Sequence, residues 1–288
     1  MRLIDQKVEI WEQGADLASL YEHVARCTRV CYQSEKKTKG ESSLEFLKRT
    51  ILKSEHLSVL EHGTVYLAIH DEGGVIYDAP KMADVTKYVS NPYSRVTTCI
   101  MDEYWYVTTN LRVIKENGWE DDLLKYICNP TIYHKKRVTV SFITSLGIAR
   151  EFNRHRCHSI SEESTRYCNY SKDKFSNNIT VIKPYWYDQV APNIQHMFDD
   201  SITKVECAYM LMTMNGLSAQ EAREVLPLAT KCQSIHTAYV EDWEQFFNLR
   251  YYGSYGKPHP AARELAGKLL DVFKKKGYVK IEPISDEI

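Results

Sequence analysis

The chain has 288 residues, 43% hydrophobic and 26% charged, enough material for a sizeable packed core and too apolar for global disorder. A formal net charge of -1 excludes a bulk basic field for nucleic acid, so any anion binding must be local. No run approaches the ~20 apolar residues that span a bilayer. The opening MRLIDQKVEIWEQGAD lacks the basic-then-apolar order of a secretion signal, so the expected location is the cytoplasm.

DLASLYEHVARCTRVCY, 16–32, has apolar residues at helical spacing (Leu17, Leu20, Val24, Cys27, Cys31), and SLEFLKRTILKS, 43–54, repeats the pattern with Leu44, Leu47 and Ile51. EHLSVLEH, 55–62, leads into TVYLAIH, 64–70, which alternates like a strand. Residues 71–135 carry the turn signals DEGG, SNPYS and CNPTIYH around a strand-like YWYVTT and a helix near LRVIKENG. RVTVSFIT, 137–144, alternates Val138, Val140 and Phe142 against smaller or polar residues and predicts a strand with one buried face. SLGIAREFNRHR then turns helical, which places Arg150 and Arg154 on one face.

KPYWYDQVAPN is a proline-marked loop. DSITKVECAYMLMTMNG is a helix closed by Asn215-Gly216. Ser218 to Glu221 is a capping box that opens a helix ending near Pro227. EDWEQFFNLRYY, 241–252, is a helix, and PAARELAGKLLDVFKKKG starts with proline and ends with glycine as a helix should. Helices around a few strands, without βαβ alternation, imply one α+β domain over 1–288 with a peripheral insertion at 71–135.

The eight cysteines, Cys27, Cys31, Cys99, Cys128, Cys157, Cys168, Cys207 and Cys232, contain no Cys-x-x-Cys, so buried reduced thiols are expected rather than disulfides or a structural metal. Most of the 20 tyrosines are packing.

RHRCHSISEESTRY, 154–167, has too few apolar positions for a core helix. Arg154 and Arg156 bring fork-shaped donors suited to phosphates and ring carbonyls, His155 brings a planar ring, and Glu162 and Glu163 bring acceptors. A solvated charged face is the plain alternative. The run lacks the i,i+4 Glu-to-Lys order of a surface helix, and it follows a strand-to-helix unit. In the helix at 241–252, Trp243, Phe246, Phe247 and Arg250 share one face. An arginine there must be paired or serve a ligand. The alternative is a guanidinium bonded to a helix-end carbonyl or a carboxylate.

Arg-His-Arg, seven residues, then Ser is the spacing of the flavin-dependent thymidylate synthases, and this stretch resembles their extended pattern at Arg154, His155, Arg156, Ser159, Glu162, Ser164, Arg166 and Tyr167. It departs at Ser161, where asparagine is common. His56-Leu57-Ser58-Val59-Leu60-Glu61-His62 resembles the family's upstream element, and Ala222-Arg223 through Leu226-Pro227 and Asn248-Leu249-Arg250 resemble its downstream ones. The resemblance covers roughly 16–70 and 136–275, and 71–135 looks like an insertion relative to short members.

The resemblance implies a family-specific α+β fold, a small, mostly antiparallel sheet flanked by helices and not a Rossmann sheet. It implies methylation of dUMP to dTMP with FAD, with NADPH and 5,10-methylenetetrahydrofolate as co-substrates, in a homotetramer with interfacial sites. Carried over, His56, Ser58, Glu61, Arg154, His155, Arg156, Cys157 and Glu162 lie along the FAD, with Tyr239 and Gln245 where short members have asparagines and Cys31 where they have serine. Glu151, Arg154, Glu162, Glu163, Ser164, Thr165, Arg166 and Arg223 hold dUMP. Arg250, at the uracil carbonyl and N3 edge, is the expected catalytic residue. Asn110 and Arg112 are candidate extra cofactor contacts from the insertion. Competing readings are a flavin-binding paralogue acting on another pyrimidine nucleotide, a single-stranded nucleic-acid-binding protein, a Cys157–His158–Cys168 zinc module, and a cysteine nucleophile.

Overall fold

The computed structural model describes residues 1–34, 40–53, 56–70, 79–99 and 103–279. Its centre is an antiparallel sheet of β2 (Lys7–Trp11), β6 (Arg137–Ser145), β9 (Lys231–Tyr239) and β7 (Ser159–Glu162), in the order β2-β6-β9-β7. Val138, Val140 and Phe142 of β6 face α6 (Leu146–Phe152), α9 (Val240–Phe247) and α10 (Pro260–Lys275). Trp243, Phe246 and Phe247 are fully buried in that layer, each contributing about 2–3 kcal/mol by leaving water.

The other face is buried as well, which corrects the expectation of a one-sided strand: α1 (Leu17–Tyr32) covers it, and Thr139 and Ser141 of β6 are buried. Polar side chains are tolerated there because they bond one another. His23 Nε2 lies 3.1 Å from Thr139 Oγ1, which lies 2.8 Å from Thr237 Oγ1 of β9. Asp16 caps α1 by accepting from Ser19 N.

A second antiparallel sheet, β3-β5-β4, joins β3 (Thr64–His70), β5 (Tyr104–Asn110) and β4 (Arg95–Cys99). With α2 (Ser43–Leu47), α3 (Ala79–Val89), α4 (Leu111–Asn117) and α5 (Glu120–Tyr126) it closes a core that includes Leu20 and Val24 of α1. A short parallel pair, β1 (Arg2–Ile4) and β8 (Thr180–Ile182), sits beside α7 (Pro192–Met214) and α8 (Ala219–Ala222). The fold is thus α+β, with three small sheets where one was expected. Among the described residues no helix is long and apolar enough to cross a membrane.

β3 and β5, the helix near LRVIKENG and the SNPYS and CNPTIYH turns fall where the pattern placed them; DEGG lies outside the described residues. α3, β4 and α5 within 71–135 carried no sequence expectation, nor did β1, β2, β7, β8 and β9. α7 begins earlier than expected, at Pro192, and ends at Asn215 with Gly216 at φ 94°.

Candidate active site

α6 begins at Ser145, whose hydroxyl accepts from Ile148 N, and buries Ile148 and Phe152 against the sheet. It ends at Asn153, so Arg154 lies beyond it and does not share a helix face with Arg150. The turn that follows is held by His155 N donating to Phe152 O at 3.0 Å and His158 N donating to His155 O at 3.0 Å. This turn exposes Arg154 and Arg156 while His155 is buried. β7 then pairs with β9, Ser159 opposite Thr237 and Glu162 opposite Ser234.

The last turn of α9 widens into a π-type turn over Asn248–Tyr252, which carries Arg250. Its guanidinium spans the end of α6: Nη2 donates to Glu151 O at 2.5 Å, Nη1 to Glu151 Oε2 at 3.0 Å and Nε to His155 Nε2 at 3.1 Å. A cation at a helix C-terminus is favourably placed. Both partners of the plain alternative, a helix-end carbonyl and a carboxylate, are thus supplied by Glu151. Three of the five guanidinium N–H donors are used and two remain for a ligand. Burial first, and then the Arg250 charge, hold His155 down at about 4, so it is neutral at pH 7 and its Nε2 is free to accept.

Glu151 also lines a cleft of about 460 Å³ with Tyr185, Trp186, Leu228 and His259. The proline-marked loop KPYWYDQ supplies these aromatic walls through Tyr185 and Trp186, for which the adjacent aromatics in a polar segment are the sequence signal.

His56 immediately precedes, and Ser58 and Glu61 lie on, a 3₁₀ turn, Leu57–His62, that buries Val59 and Leu60; His56 and Ser58 are exposed and Glu61 is half-buried. Gly63 follows because a Cβ there would meet Val24 at 2.7 Å and Leu20 at 2.9 Å. Arg112 Nη1 donates to Glu61 Oε1 at 2.6 Å, while Asn110 is spent as the cap of α4, accepting from Val113 N. Buried Arg137, not singled out from sequence, donates to Glu61 O at 3.0 Å and reaches Ser159 Oγ at 3.4 Å, joining this turn to β7. His62 is fully buried, with Nδ1 2.8 Å from Thr237 Oγ1 and Nε2 2.9 Å from Ser161 Oγ. Ser161 therefore has a structural partner at the position where the chain departs from the family pattern.

Glu162 and Glu163 point opposite ways. Glu162 accepts from Asn153 Nδ2 at 2.7 Å beside the arginine turn. Glu163 is buried and accepts from Lys231 Nζ at 2.6 Å and Gln233 N at 3.2 Å, so its carboxylate is already taken. Ser164 N donates to Cys31 O at 3.0 Å, and Ser164 and Thr165 are half-buried. Arg166 Nε donates to Gln220 Oε1 at 2.8 Å, and Arg166, Gln220 and Arg223 line one shallow depression.

Tyr239 and Gln245 do not join the Arg250 group. The Tyr239 hydroxyl is within hydrogen-bonding reach of Thr108 O at 2.9 Å and Tyr93 O at 3.1 Å. Gln245 is exposed on the side of α9 away from buried Trp243, Phe246 and Phe247. Burial pushes the Cys157, Cys31 and Cys168 thiols up, Cys168 to about 12, which disfavours the thiolate a nucleophile needs. Cys157 beside Asp242, His158 against Trp243 and Cys168 against Cys31 are not brought together.

Residues 110–276 match the family model described as thymidylate synthase complementing protein. The chain belongs to this family. The matched span begins inside the 71–135 segment and takes in β6 through α10. The flavin-dependent thymidylate synthase of Pyrococcus furiosus is 21% identical over 202 residues, 68% of this chain and 80% of that protein. A UMP/dUMP methylase, PolB, from Streptomyces cacaoi superposes with a TM-score of 0.46 and 15% identity, over 96% of this chain and 93% of that one with 5-Br dUMP bound. With 5-Br UMP bound, the TM-score is again 0.46 at 15% identity, over 96% and 92%. As a member of the thymidylate synthase complementing family, the chain is an enzyme, a flavin-dependent methyltransferase.

Proposed function

We propose that the chain converts dUMP to dTMP, with FAD as cofactor, 5,10-methylenetetrahydrofolate as carbon donor and NADPH as reductant, as a single-domain cytoplasmic homotetramer carrying an insertion at 71–135. The observation that supports it best is the Arg250 fork across the end of α6, with two N–H donors left over, Glu151 beneath it and neutral His155 beside it.

The donor set suits a flavin. Arg154 and Arg156 are exposed and make no ion pair among the described residues. Their guanidiniums match a diphosphate or the carbonyl edge of a ring system. Exposed His56 and Ser58 and half-buried Glu61 offer polar contacts on the neighbouring turn. When bound, FAD supplies the hydride that completes the methyl group.

The remaining work belongs to side chains. The free N–H donors of Arg250 hold a uracil carbonyl and stabilise the negative charge that develops on the ring. Glu151, half-exposed and anchored by Arg250, accepts from uracil N3–H. Arg166 and Arg223 neutralise the nucleotide phosphate, with Ser164 and Thr165 beside them. The described cysteines are free thiols, the state a reducing cytoplasm maintains.

Visible absorption of the purified protein, followed anaerobically with NADPH in the presence of dUMP, UMP or neither, tests the reading. Flavin bleaching accelerated by dUMP, with dTMP formed once methylenetetrahydrofolate is added, is the expected result. Acceleration by UMP alone would move the activity to ribonucleotides. A chain that takes up no FAD would end the proposal.

A further inference from the structure

We infer that a cavity between α1 and β2, on the sheet face opposite α6 and α9, is a second small-molecule site, for a ligand carrying phosphate or carboxylate groups. It is a half-open cleft of about 710 Å³ lined by Trp11, His23, Arg26, Arg29, Lys231 and Gln233, among others, a size suited to a compact organic ligand.

The two arginines carry the inference. Arg26 lies over the Trp11 ring at 3.6 Å from its centroid, and Arg29 over the Phe46 ring at 4.0 Å. Stacking occupies the face of each guanidinium and fixes its plane, and the edge N–H donors stay available. Among the described residues neither guanidinium makes a hydrogen bond or ion pair.

The other charges at the cavity are engaged. Glu9 pairs with Lys7 and accepts from Trp11 Nε1, Glu12 pairs with Lys276, Glu22 has a partner, and Lys231 is neutralised by Glu163. Arg26 and Arg29, three residues apart on α1, therefore present two pre-oriented forks to one half-open cleft, the arrangement that recognises oxyanions bidentately.

The cavity also touches the polar chain through the fold. His23 lines it and begins the series His23, Thr139, Thr237, His62, Ser161, with successive separations of 3.1, 2.8, 2.8 and 2.9 Å. Occupancy is thereby linked to His62 and Ser161, which border the proposed flavin-binding turn and the Arg-His-Arg stretch. The site is distinct from the one around Arg250, and either reading can fail without the other.

The test uses the full-length protein, with and without added FAD, and calorimetric titration with adenosine 2′,5′-bisphosphate and with γ-linked triglutamate. At least one probe is expected to bind, more weakly as salt rises, and the double variant Arg26→Gln/Arg29→Gln is expected to lose tenfold or more in its affinity while dUMP binding is unchanged. The tighter probe distinguishes a phosphate source from a polycarboxylate one. Binding of neither probe, or unchanged binding to the double variant, overturns the inference. If the double variant does not fold, hydrogen exchange on the wild-type chain decides. Protection of amides in the last two turns of α1 on adding a probe supports the site, and its absence rejects it.

Discussion

Arg112 reaches across 51 residues to place Nη1 2.6 Å from Glu61 Oε1. One side chain comes from α4, inside the segment read as an insertion, and the other from the turn proposed to lie along the flavin. Arg112 also bonds Glu116 at 2.7 Å, so its guanidinium is held from two sides. Both members of the Glu61 pair are partly exposed, 29% and 38%, and such pairs contribute at most about 1 kcal/mol to stability. Arg112→Ala should leave the melting temperature nearly unchanged and weaken FAD severalfold by releasing Glu61. Unchanged FAD affinity in a fluorescence titration would show that the insertion does not support the cofactor site.

Arg250→Ala removes three hydrogen bonds and the two donors left for the pyrimidine. Loss of a preorganised donor at a site of developing charge costs about 10²–10³ in turnover. Arg250→Lys should fare little better, since an ammonium cannot span Glu151 O, Glu151 Oε2 and His155 Nε2 together. The His155 pKa should rise in the alanine variant, because the Arg250 charge is part of what depresses it. NMR titration of the ring would show this independently of activity.

Much of the candidate site is legible in the sequence because its residues are local in sequence. Arg154 to Tyr167 is one stretch, and the apolar face of Trp243, Phe246 and Phe247 identified Arg250 as exceptional. β9 escaped notice because both its faces are buried. Ser234, His236 and Thr237 are polar residues satisfied or packed inside the sheet, so the strand lacks the alternation of a half-buried one. Arg137 and Lys231 were missed for a related reason. Their partners, the Glu61 carbonyl, Ser159 and Glu163, are distant in sequence, and no periodicity encodes a long-range hydrogen bond or ion pair. The helical reading through Arg154 failed because no sequence signal marked Asn153 as the end of α6.

Glu163 separates a structural role from a ligand-binding one. Its side chain is 1% exposed and bonded to Lys231 at 2.6 Å. Glu163→Gln leaves the partly exposed Lys231 ammonium without its counter-charge; breaking a fully buried pair costs about 3–5 kcal/mol, and a loss below that range is expected here. Urea denaturation should show that loss, while the KM for dUMP in the surviving folded protein changes less than threefold. A large KM effect with intact stability would return Glu163 to the nucleotide site.

Cys157 is exposed, and its thiol is pushed up by burial of the Sγ and by Asp242. A neutral thiol is a poor nucleophile. Cys157→Ala should retain both flavin and turnover. A folded, flavin-loaded variant with no turnover would reinstate thiol chemistry.

Acid sensitivity follows from the buried imidazoles. Burial is the first cause in each case and holds His23 at about 4, His62 at about 3 and His158 at about 3, with His236 well below the usual histidine range. These rings are neutral in the folded chain and protonate near pH 6.5 when it unfolds. The unfolded state therefore binds more protons between those values, and stability, complete above pH 6.5, falls as pH drops toward 4 and 3. Each ring adds up to about 1.4 kcal/mol per pH unit to that slope. His158 and His236 face each other through Nδ1 atoms 3.3 Å apart, and both Nε2 atoms lack a partner, so neither ring has a carboxylate to receive a charge. Unfolding free energy from urea melts should drop steeply between pH 6.5 and 5. His62→Gln, which can still bond Thr237 and Ser161, should make the drop shallower by about one ring's share. A flat profile for the wild-type chain would mean that these imidazoles are hydrated in solution and that the sheet faces covered by α1 and α9 open far more readily than their packing implies.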